Sequence, residues 1–358
     1  KDRLSAIAEA GGILPLVGLV TSGNPASKER AASALWHLSL DPVNQQAVAR
    51  AGGIAPLVML LEDGNRQATR FAADALARLA QDNEDNQALM AKKLVGLLGS
   101  SNEAAQRRSA HMLRELVHKH DGAPQRVVNA GAISPLVALL GTGELETKEE
   151  AAGALHLLAV NRSNQLAIAI GLVALLGTGS EDSQEHVTAM LERFVEDREN
   201  CVAISEAGAI ERLVIQLESD SMALHERTTA VLTALVEDSN DHVDSLVLHG
   251  GISPLVRLLD SASQVAMERA SRIFAAMARS SHGTQAQVAT AQAIASLVNL
   301  VANAELRLPV RSEAAGALWW MSNGNAEKQA AIVTAGALVP LVQLLQTNSA
   351  DAQRLAAG

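Results

Sequence analysis

The sequence predicts an all-α solenoid, in which copies of one helical unit stack along the chain. The string AGGIAPLVMLL at 51–61 returns in close variants at 10–20, 130–140, 249–259 and 335–345. A Leu-Val pair in the same register marks nine units, most of them 41 to 44 residues apart, a period typical of two- or three-helix repeats. Apolar residues make up 48% of the chain but aromatics only 2%, which suits closely packed helices better than a β-sandwich.

The best-preserved unit reads AGAISPLVALLGTGELETKEEAAGALHLLAVNRSNQLAIA and predicts three helices. A short first helix ends at Asn129, before an Ala-Gly hinge. A second helix starts near Pro135, because proline is favoured in a first turn, and stops at the Gly-Thr-Gly string. A third, longer helix starts near Thr147, with acidic residues in its first turn, and ends before Asn161.

These units predict one shared core. A single unit cannot bury its own apolar stripe, so each unit depends on its neighbours. In the third helix Ala151, Leu155 and Leu158 follow at spacings of four and three, which places them on one core-facing stripe. The pair Gly52-Gly53 predicts a sharp bend at the hinge, where a side chain would be strained.

The strings AGAISPLVALL, KEEAAGALHLLA and NRSNQLAIA resemble the armadillo repeat, in the style common in plants and protists. The resemblance covers the whole chain as a single domain over 1–358. It implies a right-handed superhelical solenoid of about eight to nine repeats, three helices each, whose third helices line a concave groove for an extended peptide. The repeats start near 10, 51, 92, 130, 170, 207, 249, 291 and 335, and the last is incomplete.

Two units are shorter than the rest by about five residues relative to the period. At Lys93 and Gly171 the sequence runs from a first helix directly into a second, without the hinge glycine or the helix-starting proline. A true deletion would force the two helices to fuse or clash. The alternative, which we favour, is that residues are missing from the sequence at these two points.

Composition and motifs exclude several function classes. The net charge of −10 argues against nucleic acid as a partner, since phosphate binding relies on clustered Lys and Arg. The longest apolar run, Leu166 to Leu176, is too short to span a bilayer, and no signal peptide opens the chain. The single cysteine, Cys201, predicts a small buried apolar residue and a reducing, cytoplasmic compartment. Membrane tethering or nuclear entry through segments outside this sequence stays open.

No catalytic or metal-binding signature is present in the sequence. There is no phosphate-binding loop, since the Gly-Thr-Gly strings lack a lysine at the required offset, and there is no HExxH or CxxC motif. The His118-Lys119-His120 string points its residues to differing helix faces and predicts the solvated end of a third helix. We therefore expect a protein that is not an enzyme and uses no cofactor or metal.

Positions one, four and eight of the third-helix motif EAAGALHLL share one helix face, which lines the groove in armadillo proteins. Importin-α carries Trp at position four and Asn at position eight in most units, and neither ladder exists here, so the chain is not predicted to be a nuclear-import receptor. Trp319 and Trp320 cannot both point inward. We expect one of them in the core and Trp320 in the groove as an anchor, whereas Trp36 is expected to be packed.

Basic residues outnumber acidic ones at these three positions, although the whole chain is acidic. The hypothesis is that the groove receives an acidic or phosphorylated segment, with Arg227, Arg269 and Arg272 in one cluster. Arg78, Arg108 and His111 form a second expected cluster, with Arg70 and Arg107 nearby. The alternative is that these arginines pair with interleaved acids on a solvated face. The candidate partner-binding residues are Arg78, Arg108, His111, Arg193, Arg227, Arg269, Arg272 and Trp320.

The resemblance implies a non-enzymatic interaction scaffold or adaptor that binds extended or helical protein segments. The alternatives are a substrate-recognition module of a larger protein such as a U-box ubiquitin ligase, or a chaperone or cytoskeletal armadillo protein of the axonemal or myosin-associated kind. A groove that reads RNA bases is disfavoured, because no aromatic or Arg stacking ladder is present. The incomplete units at both ends leave apolar faces, which we expect to stack either on repeats outside this sequence or on another copy of the chain.

Overall fold

Helices are the only regular elements in the computed structural model, which describes residues 2–358 and the side chains from residue 6 onward. The prediction of an all-α solenoid is confirmed. Each unit has a short first helix, a second helix and a longer third helix, except the two short units, in which the first two helices are joined. In chain order the helices are α1 (Asp2–Glu9), α2 (Ile13–Ser22), α3 (Pro25–Leu38), α4 (Pro42–Arg50), α5 (Ile54–Asp63), α6 (Arg66–Leu79), α7 (Glu84–Leu98), α8 (Glu103–Lys119), α9 (Ala123–Asn129), α10 (Ile133–Thr142), α11 (Leu145–Leu158), α12 (Arg162–Leu175), α13 (Glu181–Phe194), α14 (Arg198–Glu206), α15 (Ala209–Gln216), α16 (Met222–Asp238), α17 (Asn240–Leu248), α18 (Ile252–Leu259), α19 (Gln264–Ser280), α20 (His282–Val288), α21 (Ala291–Ala302), α22 (Leu308–Ser322), α23 (Ala326–Thr334), α24 (Leu338–Leu345) and α25 (Ala350–Ala357).

The chain divides into two compact parts, residues 1–168 and residues 169–358, each made of several repeats and each described separately. In the first, α3 packs on α6 and α8 packs on α11. In the second, the third helices α13, α16, α19, α22 and α25 each pack on the next. The prediction of one domain over 1–358, with the repeat starts given above, stays a prediction.

Small and aliphatic side chains of the third helices form the core. Ala151, Leu155 and Leu158 are fully buried in α11, which confirms the predicted stripe. Most third helices begin at an Asn or Ser whose side chain accepts a backbone hydrogen bond, as Asn24 does from the Ser27 amide at 2.9 Å. These caps stabilise the helix start, because they satisfy a backbone N–H that has no partner within the helix.

A left-handed glycine separates the first and second helices in most of the complete units, although Ala289 and Thr290 occupy this place between α20 and α21. Gly131 has φ 82° and follows α9, and its amide donates to the Val128 carbonyl at 2.8 Å. Gly52 has φ 77° at the same register, as the predicted bend requires. A residue with a Cβ atom is strained in this conformation, so glycine lets the chain turn sharply from one helix to the next.

The two short units lack this turn. At Lys93 the first and second helices are joined in the continuous helix α7, and at Gly171 they are joined in α12. The sequence as given therefore forms fused helices rather than a clash at both points, and whether residues are missing there stays a prediction. Beside α7 the third helices α6 and α8 lie further apart than the other neighbouring third helices of residues 1–168. A missing hinge therefore coincides with an opening in the third-helix layer.

The second helices at both ends of the chain expose side chains that inner repeats bury. Leu19 in α2 is 44% exposed, whereas Leu60, at the same register in α5, is 1% exposed. Val342 in α24 is 53% exposed, whereas Val298, its equivalent in α21, is 5% exposed. No single described helix is long and apolar enough to cross a membrane, and α23 with α24 meets that test only as a pair bent by 89°.

We expect Gly131→Ala to lower the stability of the chain by about 1 kcal/mol or more, because alanine must adopt a left-handed conformation there. The matched control is Gly18→Ala. Gly18 lies inside α2, and no heavy atom lies within 4 Å of the point that an alanine Cβ atom would occupy, so alanine there should be neutral or stabilise the helix by up to about 1 kcal/mol. Thermal unfolding followed by circular dichroism measures both variants. Equal effects of the two substitutions would contradict the assigned role of the hinge glycine.

Candidate functional site

The third-helix face consists of the side chains at positions one, four and eight of the third-helix motif. These side chains are half-buried or exposed, except Ala276 and Gly316, which are buried. Positions five, six and nine of the same helices face the core, as Ala154, Leu155 and Leu158 show. The third-helix face therefore lies apart from the side of each third helix that packs in the core.

An opening between α6 and α8 brings Arg108 and His111 of this face together with neighbouring arginines of the same two helices. A cavity of about 340 Å³, which we call the arginine cavity, lies between the first halves of these helices. Arg66 and Arg70 reach it from α6, and Arg107, Arg108 and His111 reach it from α8. Leu61, Thr69, Ala73 and Met112 supply its less polar walls, and Glu150 of α11 completes the lining.

Only part of this charge is neutralised by carboxylates. Arg107 forms an ion pair with Glu146, and Arg70 approaches Asp74 at 4.0 Å. Arg108 instead donates from Nη1 to the carbonyl oxygen of Leu61 at 2.6 Å. Burial, together with the adjacent charge of Arg107, lowers the pKa of Arg108, so the cavity holds a desolvated cation without an anionic partner.

Glu150 contacts two basic side chains of α8. Its carboxylate lies 3.2 Å from His111 Nδ1 and 3.2 Å from Arg114 Nη1. Gly153, one turn along α11, makes the second contact possible, because a Cβ atom there would lie 2.8 Å from Arg114 Cδ. Glycine at this position lets the arginine stem cross the helix surface and anchors α8 to α11.

A second cavity adjoins the arginine cavity and shares Ala73, His111 and Met112 with it. This apolar cavity has a volume of about 190 Å³, and Ala77, Ala80, Met90 and Leu116 line its interior. Its rim carries Asp74, Glu115, Lys119 and His120. The α6–α8 cleft, formed by the two cavities, thus has arginines at one end and, at the other, an aliphatic interior whose rim carries both acidic and basic side chains.

The arginines of the cluster predicted in residues 169–358 are paired with interleaved acids. Arg227 and Arg269 each lie 3.4 Å from a carboxylate oxygen of Glu192. Arg269 also donates to the Glu226 carbonyl at 2.5 Å. These contacts bring together two members of the predicted cluster and match the alternative in which arginines and acids neutralise each other.

The third predicted member, Arg272, belongs to a separate contact. Arg272 lies 2.6 Å from Glu237. Desolvation alone would lower its pKa, but the carboxylates of Glu237, Glu313 and Glu268 raise it overall. Burial in turn raises the pKa of Glu313. This part of the face is therefore close to charge balance.

Trp319 and Trp320 line one cavity of about 270 Å³ with Arg272, Arg279 and Leu355. Their rings stack at 4.9 Å, and the guanidinium carbon of Arg279 lies 5.9 Å from the Trp320 ring centre. The prediction that one of the two tryptophans is a core residue is wrong, because both are half-buried. Trp36 is packed as predicted, stacked on Phe71 at 5.8 Å.

Arg78 and Arg193 are exposed and, among the described residues, lie in no ion pair. Arg78 does not line the arginine cavity, so it is not part of the predicted cluster with Arg108 and His111. Arg66 does line it but is absent from the clusters that the sequence predicts. It precedes Arg70 by four residues, and that helical spacing would have placed both on one face.

Cys201 and the His118-Lys119-His120 string, which were considered as a nucleophile and as metal ligands, lie within or at the end of helices. Cys201 is buried in α14 and donates to the Val195 carbonyl at 3.2 Å. His118 and Lys119 are exposed in the last turn of α8. Basic side chains are favourable there, because the C-terminal end of the helix dipole is negative. No three His, Cys, Asp or Glu side chains in the described part of the chain converge to hold a metal ion.

Comparisons with known proteins identify the repeat. The family model of the Armadillo/beta-catenin-like repeat matches residues 2–40 and 120–160. An engineered protein solved by the Northeast Structural Genomics Consortium is 29% identical, with a TM-score of 0.66, and the alignment covers 99% of this chain and 89% of that one. No curated protein sequence matches the chain.

Two designed armadillo repeat proteins align more distantly. One is 23% identical and the other, in complex with the peptide (KR)4, is 24% identical. Each alignment covers 74% of this chain and 96% of the other, with a TM-score of 0.47. These two likenesses are too distant to bear on what this chain binds.

We expect Cys201 to react slowly with alkylating reagents in the folded protein. Burial, together with Asp238 and Asp197, raises its pKa to about 11, so the thiol stays protonated at neutral pH and the thiolate nucleophile is scarce. Iodoacetamide labelling followed by mass spectrometry should be slow without denaturant and fast with it. Rapid labelling of the folded chain would contradict this.

The raised pKa of Cys201 also stabilises the fold below pH 9.0, and this contribution is lost as the pH rises towards 11.

Proposed function

This chain is an armadillo-repeat protein, and we propose that it acts as a non-enzymatic scaffold or adaptor that binds acidic protein segments on its third-helix face. The observation that carries the proposal is an inversion of charge. The whole chain has a net charge of −10, yet arginines concentrate on the one helix face that the core does not use. Basic side chains on an exposed face attract a partner of opposite charge and orient it.

Two features of the third-helix face support a polypeptide partner. Arg78 and Arg193 extend into solvent without an acidic partner among the described residues, so they are free to bind one. Trp320, beside Arg279, offers a half-buried aromatic surface of the kind that anchors protein interfaces. The paired arginines Arg227, Arg269 and Arg272 contribute only where a partner's carboxylate replaces Glu192 or Glu237.

More specific functions that would also use the third-helix face are the alternatives to this proposal. They are a substrate-recognition module of a U-box ubiquitin ligase, and a chaperone or cytoskeletal armadillo protein of the axonemal or myosin-associated kind. We also propose a cytoplasmic, reducing location, which rests on the single unpaired cysteine.

The test of the binding face is charge reversal in the double variant Arg78→Glu and Arg193→Glu. Both side chains are exposed, so the substitutions should leave the fold intact. We expect the variant to lose acidic segments selected by the wild-type chain from a displayed peptide library, with affinity reduced about tenfold or more for each arginine–carboxylate pair that the reversal removes. Fluorescence anisotropy on individual peptides measures the loss.

The matched control is the double variant Arg50→Glu and Lys92→Glu. It changes the net charge by the same amount, but the two residues lie on the exposed sides of first helices. We expect it to bind like the wild type. Equal losses in both double variants would mean that only net charge matters. A wild-type chain that selects no acidic segment would overturn the proposal.

We further propose that the chain self-associates end to end, through the exposed second helices α2 and α24. Equivalent side chains are buried between inner repeats, so each end presents one side of the interface that stacks the repeats. We expect the sedimentation coefficient to rise with concentration, and Val342→Glu to abolish the rise. The control is Val160→Glu, because Val160 is exposed away from either end. Monomers at all concentrations would contradict self-association.

A further inference from the structure

We propose that the α6–α8 cleft binds a phosphorylated serine or threonine of a partner, with a neighbouring aliphatic side chain of that partner in the apolar cavity. This inference rests on the proposed binding function and narrows it to one site and one chemistry. The cleft lies beside the fused helix α7, where α6 and α8 are apart. Elsewhere in residues 1–168 adjacent third helices pack directly, as α3 does on α6.

The charge of the arginine cavity matches a phosphate dianion. Four arginines line the cavity, and Arg114 joins them through Glu150. The carboxylates that neutralise these five are Asp74, Glu146 and Glu150. This leaves an excess of two positive charges. A phosphorylated side chain carries nearly two negative charges near neutral pH, whereas a carboxylate carries one.

The geometry of the donors favours phosphate as well. Arg66 and Arg70 approach from one helix, and Arg107 and Arg108 approach from another, so donors converge on the cavity from two sides. Phosphate offers three acceptor oxygens, and guanidinium groups bind such oxygens in pairs. Arg108 is already desolvated and bound only to a backbone carbonyl, so an anion in the cavity would relieve the cost of its burial.

The apolar end of the cleft indicates a polypeptide rather than a free phosphate. The apolar cavity shares three lining residues with the arginine cavity, and Ala77, Met90 and Leu116 line its interior. A phosphate ion would leave these surfaces exposed to water, whereas an aliphatic side chain of the same segment would bury them. The alanines of α6 leave room on one wall, and the flexible Met112 can adapt on the other.

The test uses peptide libraries with a central phosphoserine and randomised flanks, beside a matched library with a central serine. We expect the wild-type chain to bind phosphoserine peptides at least about tenfold more tightly and to select an aliphatic residue near the phosphate. The double variant Arg66→Glu and Arg70→Glu should abolish the preference for phosphate. Arg66 is the first residue of α6, where glutamate favours the helix dipole, so the fold should survive.

Two further variants separate the parts of the proposal. Ala77→Trp fills the apolar cavity and should remove the aliphatic preference while the phosphate preference remains. The double variant Arg50→Glu and Lys92→Glu is again the charge-matched control and should bind phosphopeptides like the wild type. Circular dichroism checks that each variant is folded.

Three outcomes would overturn the inference. Serine peptides that bind as tightly as phosphoserine peptides would exclude phosphate recognition. Inorganic phosphate that binds as tightly as the selected phosphopeptides would exclude the role of the apolar cavity. Phosphopeptide binding that is unchanged by the substitutions at Arg66 and Arg70 would place the site elsewhere. If serine and phosphoserine peptides bind equally tightly but their binding still depends on Arg78 and Arg193, the phosphate site is excluded and the proposed scaffold function stands.

Discussion

Burial of aliphatic side chains between neighbouring repeats is the interaction on which this structure depends. Leu155 and Leu158 are completely removed from water, although no single three-helix unit is thick enough to enclose them. Each buried CH₂ group contributes about 0.8 kcal/mol, so the stability of a repeat resides largely in its contacts with the repeats beside it. The same dependence explains why Leu19 and Val342 are exposed in the end repeats, where a neighbour is absent from the described chain.

This constraint also decides where function can reside. Positions five, six and nine of each third helix are committed to the core, so substitutions there would cost stability before they could alter binding. Positions one, four and eight are free of that role and carry the charged residues. Similar arginines nevertheless have different environments. Arg227 and Arg269 share Glu192, whereas Arg108 has only a carbonyl oxygen as a partner. Charge alone therefore does not distinguish a solvated face from a binding site.

The missing hinge in α7 lies beside the opening between the third helices α6 and α8. Gly131 turns the chain between two helices in a complete unit, but α7 has no equivalent and continues straight through Lys93. The third helices on either side of α7 lie further apart than the other neighbouring third helices of residues 1–168, and two cavities lie between them. The departure from the repeat pattern and the opening between third helices thus occur at the same place in the stack.

The sequence by itself determined the class of fold, the three helices of a unit, the left-handed glycine of the hinge and the buried stripe of α11. It could do so because these features depend on spacing along one helix or on the conformation of one residue, and each recurs in unit after unit. The tertiary structure decided which arginines are paired, that Arg66 rather than Arg78 joins Arg108, and that Trp319 and Trp320 share one cavity. These features depend on the distance between helices of different repeats, and that distance is set by packing, which no single repeat encodes.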